Sequence, residues 1–326
     1  MTCDSSPIVV IDSGLGGLTV VRAIRKVLPE QDVVYFGDTA RQPYGAKSAA
    51  TVTRFVQQIL HYLCPLRPKH VVIACNTATA LALPAVRAAF PGVSVSGVIE
   101  PGARGAVEAA GAKPFPVIGV LATEATVLSR AYEHAIHRRR NRVRLLLRPA
   151  PLLVPIVEEG RTGEDALVRL ALRQYLQPMV KRGMDVLVLG CTHYPVLKEA
   201  IQAAVGAGVP VIDSAERCAD DVARRLRAGR RPSGLGLAPG RASGLRYPPV
   251  AAARVESLEP SNVFGAAPEE IAELRRGRLR CYVTDESPRF ATLAARFLGA
   301  AVDRPTLVPP EELVAPPAEP VASEAA

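Results

Sequence analysis

Two short segments of this 326-residue chain are built alike. Residues 71–77 read VVIACNT and residues 187–193 read LVLGCTH, each an apolar run, then a cysteine, then hydrogen-bonding side chains. Cys75 and Cys191 would thus stand at the C-terminal tips of two strands, each leading into a helix. A thiol at a helix N-terminus has its thiolate favoured by the helix dipole and by unpaired backbone N–H groups. Those N–H groups, with Asn76, Thr77 and Thr192, also suit a carboxylate ligand. His193 lies two residues after Cys191 and is placed to exchange a proton with it. Two thiols on opposite sides of a crevice can remove a proton from one face of a carbon and deliver one to the other face. A single base cannot easily serve both faces. The plain alternative is two buried cysteines with no shared role, because free cysteine is among the most buried residue types.

Other segments supply candidate partners for such a reaction. The Gly-rich turn in IDSGLGGLTV, residues 11–20, invites a dinucleotide-binding reading, but Thr19 occupies the third motif position. Asp12 at the strand tip would also repel a pyrophosphate, so the turn fits a cationic or zwitterionic ligand better. A helix N-cap is the structural alternative for Asp12. In FGDTARQPYGAKS, residues 36–48, the Tyr44 phenol and the Gly45 N–H could meet a carboxylate. Lys47 has no phosphate-binding cup beside it, so pyridoxal phosphate is not called for. Zinc held by Cys75, Cys191 and His193 would lack a fourth ligand and a local Cys pair. A redox dithiol would require the two tips to close to disulfide distance. The expectation is therefore a reaction with no cofactor and no metal.

Positioning these groups requires strands that end together. Apolar runs occur at 7–11, 32–36, 70–74, 93–98, 116–121, 185–189 and 209–212, separated by amphipathic stretches such as 18–27, 48–63, 78–90, 165–181 and 195–204. Continuous Val/Ile runs alternating with helices indicate parallel sheets covered on both faces. The fold class expected is α/β, as two pseudo-symmetric doubly wound lobes with the site in the cleft at the strand C-terminal ends. The first lobe is placed at 1–100 plus 214–303 and the second at 101–213. A Gly/Pro/Arg-rich insertion covers 229–265, and a Pro/Ala-rich tail, read as disordered, covers 304–326.

Composition narrows the function classes. The net charge is +9, from six lysines and 34 arginines, with runs at 138–144, 224–231 and 275–280. The absence of Trp, with only seven Phe and eight Tyr, argues against base-stacking platforms, so those runs read as solvated surface and no nucleic-acid partner is expected. Six cysteines without any CxxC pair argue against a disulfide framework. The N-terminal residues carry no signal-peptide pattern, and the apolar runs are too short to cross a bilayer. A cytoplasmic protein without a membrane partner is expected.

Taken together, IDSGLGGLTV, YFGDTARQPYGAKS, VIACNTATA, ATEATVLSRAYEHAI, LVPIVEEG, VLGCTHYPVL and YVTDESPRFATLAARFLG closely resemble the glutamate racemase family, in family order across most of residues 7–300. The resemblance implies Cys75 and Cys191 as paired proton donors and acceptors. It implies Asp12, Glu158 and His193 as groups assisting them. Asp12, Ser13, Tyr44, Gly45, Asn76, Thr77, Thr192 and His193 would contact L- or D-glutamate, and the D-glutamate formed would enter bacterial peptidoglycan. An aspartate or hydantoin racemase is the nearest alternative, which the segments around Tyr44 and His193 disfavour. A basic nucleic-acid-binding module is a more distant one, and a homodimer is left open.

Overall fold

The computed structural model describes residues 6–229 and 277–313. In chain order the first lobe contains β1 (Ile8–Asp12), α1 (Leu18–Val27), β2 (Val33–Gly37), α2 (Ala49–Leu63), β3 (His70–Ile73), α3 (Asn76–Ala89) and β4 (Val95–Gly97). Next come α4 (Ile99–Ala109), β5 (Val117–Ala122), α5 (Glu124–Leu128), α6 (Ala131–His137), β6 (Arg144–Pro149), α7 (Leu153–Glu158) and α8 (Ala166–Val180). The second lobe finishes with β7 (Val186–Gly190), α9 (Lys198–Val205) and β8 (Val211–Asp213). The chain then runs through α10 (Ser214–Gly229) and returns to the first lobe as β9 (Leu279–Val283), α11 (Phe290–Leu298) and β10 (Thr306–Leu307).

Among the described residues the strand pairs are all parallel. The first sheet has the order β10–β9–β2–β1–β3–β4 and the second β6–β5–β7–β8. This is the expected α/β class with two sheets. The reason lies in the strands: IVVID, VVYFG and VLVLG are buried at every position, which only a sheet covered on both faces accommodates. The helices supply the cover. In α1, Leu18, Val20, Val21 and Ile24 face inward while Arg25 and Lys26 favour the C-terminal end of the dipole. Ser48 caps α2 and Asp165 caps α8, each accepting a backbone N–H, at 3.2 and 2.8 Å.

The inner core is continuous between the lobes. Ile8, Leu18 and Tyr35 of the first lobe share it with Leu153, Leu187 and Tyr194 of the second, and Phe297 of α11 joins them. Separate apolar layers fill the outer side of each sheet. Helix α4 begins the second lobe, packing Ile99, Ala103 and Ala106 against Ile118 and Val120. Helix α10 bridges, lying against both α1 and α4.

Two expectations change. The chain stays ordered past residue 304: β10 pairs with β9, and Val308 and Leu313 are each 1% exposed in the outer core of the first lobe. Composition hid this, because two well-placed apolar residues in a Pro/Glu-rich stretch are enough to dock it. The strand β6 was also not anticipated, since its three leucines sit between arginines; it forms an edge, where flanking charge is tolerated. Residues 314–326 of the expected tail and nearly all of the expected 229–265 insertion lie outside the described residues. Among the described residues no helix is long and apolar enough to cross a membrane.

Candidate active site

Asp12 ends β1 and Cys75 follows β3, the strand paired beside it in register. Cys191 follows β7, the matching central strand of the second sheet. The two strand ends meet across the crevice. Gly16, in the turn after β1, lies so close to the second lobe that a Cβ there would stand 2.4 Å from Thr192 Oγ1 and 2.5 Å from His193 Nδ1. Only glycine permits that approach. The Thr19 hydroxyl donates across the same seam to the Thr192 carbonyl, at 3.2 Å.

Cys75 caps α3, its Sγ accepting from the Ala78 N–H at 3.4 Å. The dipole was expected to favour its thiolate. Burial, followed by the negative charge of Asp12, outweighs this and pushes the thiol up to about 12, despite hydrogen bonds from Ser13 and Ala78. Cys75 is thus a protonated thiol at neutral pH. Contrary to expectation, Cys191 does not lead directly into an α-helix; residues 194–197 form a short 3₁₀ turn before α9. Its charge partner is instead His193, whose Nδ1 lies 3.9 Å from Sγ. The other ring nitrogen, Nε2, is 3.0 Å from Glu158 Oε1 at the end of α7. Burial opposes charging of this ring, but the hydrogen bonds to Cys191 and Glu158 prevail and push His193 up to about 10. A protonated ring donates from both nitrogens, one toward sulfur and one toward carboxylate.

Asp12 is not an N-cap. One carboxylate oxygen accepts from the Gly14 N–H at 3.1 Å, and the other, Oδ1, is buried without a partner. Burial raises its pKa, with the charge of His193 and the turn N–H groups opposing. Asn76 is the complement: its Oδ1 accepts from the Tyr132 hydroxyl at 2.8 Å, while its Nδ2 is buried without a partner. Of four such orphan side-chain atoms among the described residues, these two flank Cys75. A buried unmatched acceptor and a buried unmatched donor beside one thiol are what a ligand carrying both an ammonium and a carboxylate would satisfy.

The remaining positions divide. Thr77 hydrogen-bonds Thr123 at 2.9 Å and Thr126 at 3.3 Å, both from the second lobe. Gly45 packs against Thr123. Tyr44 differs from expectation: its phenol donates to Asp38, a fully buried carboxylate that also takes the Arg41 Nε–H at 2.8 Å and the Thr284 hydroxyl at 3.0 Å. The phenol therefore braces the loop and leaves Gly45 as the group facing the second lobe. Sequence reasoning missed Thr123, Thr126 and Tyr132, although all lie in ATEATVLSRAYEHAI. The T-x-x-T spacing at 123–126 was the available signal, since Thr123 caps α5 by accepting from the Thr126 N–H. Among the described residues no group of three or more His, Cys, Asp or Glu is arranged to hold a metal ion.

Comparison with known proteins finds related sequences and related folds. Residues 17–221 match the family described as Asp/Glu/Hydantoin racemase. The chain is 41% identical over 298 residues to a glutamate racemase of Koribacter versatilis, covering 90% of this chain and 94% of that protein. It resembles the crystal structure of glutamate racemase from Francisella tularensis in complex with D-glutamate, with TM-score 0.74, 29% identity and coverage of 94% and 98% of the two chains. The glutamate racemase of Thermus thermophilus in complex with beta-chloro-D-alanine gives TM-score 0.72 at 37% identity, covering 94% and 98%.

Proposed function

The chain belongs to the Asp/Glu/Hydantoin racemase family, and from that premise we propose that it interconverts L- and D-glutamate without a cofactor, by proton transfer between two thiols. The observation that carries the proposal is the pair of strand-tip cysteines in opposite lobes, with the unmatched Asp12 Oδ1 and Asn76 Nδ2 beside one of them.

The substrate ammonium pairs with Asp12, which offsets the carboxylate charge and with it part of the repulsion that holds Cys75 protonated. The α-carboxylate takes the Asn76 amide N–H and the N–H groups opening α3. Thr77, Thr123 and the Gly45 turn, which lie together at the seam, supply the hydroxyl and N–H donors for the side-chain carboxylate. In the direction that uses Cys191 as the base, its sulfur, beside protonated His193, takes the α-proton from one face. The electron pair left on Cα delocalises into the α-carboxylate, where the fixed donors stabilise it. The Cys75 S–H then gives its proton to the opposite face. The thiols have exchanged roles, and the same steps in reverse serve the other enantiomer. Glu158 keeps the imidazole ring oriented and charged. The D-glutamate formed serves bacterial peptidoglycan, the role the family implies, in the cytoplasm.

Circular dichroism of the purified protein with L-glutamate, without added cofactor, tests the reading. Decay of the signal to zero supports it. A stable glutamate signal beside decay with L-aspartate would transfer the assignment to another member activity of the family.

A further inference from the structure

Helix α11 belongs to the first lobe by its place between β9 and β10, yet two of its consecutive side chains reach the second lobe. Arg296 donates through Nη1 to the Val157 carbonyl at 3.0 Å and through Nη2 to the Arg161 carbonyl. Those carbonyls bracket Glu158, at the C-terminal end of α7, where a guanidinium also complements the helix dipole. Phe297, 1% exposed, meets the His193 ring edge-on, with centroids 5.1 Å apart and an interplanar angle of 76°. The helix cannot easily shift. Phe290, Leu293, Ala294, Phe297 and Leu298 are buried in the inner core that also holds Ile156 and Val157. Gly299, at φ +77°, terminates it under the Arg22 guanidinium.

We propose that Arg296 and Phe297 are positioning residues for the Cys191 side of the reaction, holding Glu158 and His193 so that the ring meets the Cys191 sulfur. Neither touches substrate. One fixes the backbone from which the carboxylate projects, and the other fixes the plane of the ring. Because the brace comes from the opposite lobe, it also ties the ring's alignment to the packing of the two lobes. Cys75 lies in the outer apolar layer of the first lobe, whereas the buried residues of α11 lie in the inner core, so the two thiols are set in different packing environments.

The inference rests on the proposed racemase reading, but its test does not depend on that reading alone. R296Q, R296K and F297L are compared with the unaltered protein for kcat/KM with each enantiomer of glutamate. Iodoacetamide labelling of Cys75 and Cys191 is followed separately by peptide mass spectrometry. Enantiomers have equal free energy in water, so kcat/KM must fall equally in both directions. A fall of about 10- to 100-fold is expected for R296Q and F297L, the scale of an ångström-level misplacement. Labelling of Cys191 is expected to slow relative to Cys75, because a cation beside a thiol favours its reactive form and the displaced ring no longer meets the Cys191 sulfur. R296K should recover part of the loss, because an ammonium can serve one of the two carbonyls. Unchanged kcat/KM overturns the proposal. So does a fall in which both cysteines change labelling alike, the signature of general loosening. If the unaltered protein fails to racemise glutamate, the functional reading falls, while the labelling ratio still decides whether α11 positions His193.

Discussion

His193 stands between two partners, its Nδ1 3.9 Å from the Cys191 sulfur and its Nε2 3.0 Å from Glu158 Oε1. Such a ring is more than a neighbour of the thiol: it supplies the positive charge that a thiolate needs in a buried site. Substituting His193→Asn keeps a polar side chain but removes the charge, and kcat should fall by about 10²- to 10⁴-fold, the range of a lost general acid–base partner. Glu158→Gln keeps the hydrogen-bond acceptor and should cost less. Steady-state kinetics on the two variants check the ranking.

The same pair gives stability a pH dependence of defined sign. His193 is pushed from 6.5 up to about 10 in the folded protein, by Cys191 and Glu158 against the opposing effect of burial. A raised pKa means the folded state holds the proton more tightly than the unfolded chain. The contribution is therefore complete below pH 6.5 and is lost as pH rises through about 10. Thermal melts between those limits should show the unaltered protein losing Tm relative to His193→Asn. Parallel Tm curves would remove the charged-ring assignment.

Gly16 is a steric requirement of the seam between lobes. A methyl group there would overlap Thr192 Oγ1 and His193 Nδ1. Gly16→Ala is predicted to cost about 1–3 kcal/mol of stability, as overpacking does, and to lose activity beyond that because the displaced groups belong to the site. Denaturant melts together with kcat/KM separate the two effects.

The C-terminal segment provides a stability test remote from the chemistry. Truncation after Leu313 should leave Tm and turnover unchanged. Leu313→Ala should destabilise by about 2–5 kcal/mol, because the side chain is 1% exposed in the outer core. Truncation after Asp303 removes β10, Val308 and Leu313 together and should cost more still.

Much of this arrangement is legible in the sequence. The uninterrupted apolar strands dictated buried parallel sheets, and the matching VVIACNT and LVLGCTH segments placed both thiols at strand tips. Two kinds of fact escaped. One was electrostatic balance: a cysteine at a helix start reads as an activated thiolate, and only burial beside Asp12 shows that Cys75 stays protonated. The other was long-range partnership. Nothing local to Tyr44 says that Asp38 takes its hydroxyl, and nothing near His193 points to Phe297, 104 positions later in the numbering of the chain. Such pairings arise from the closing of two lobes, which leaves little periodicity to read.

The central claim is that Cys75 and Cys191 each serve one face of Cα. Proton NMR in deuterated water, starting from each enantiomer of glutamate, measures inversion and α-hydrogen exchange together. The unaltered protein should convert either enantiomer to the mixture while replacing the α-hydrogen by deuterium. Cys75→Ala and Cys191→Ala should each abolish inversion with the fold intact by circular dichroism, and any residual exchange should be confined to a single enantiomer, opposite for the two variants. Full racemisation by either variant would contradict the two-thiol account.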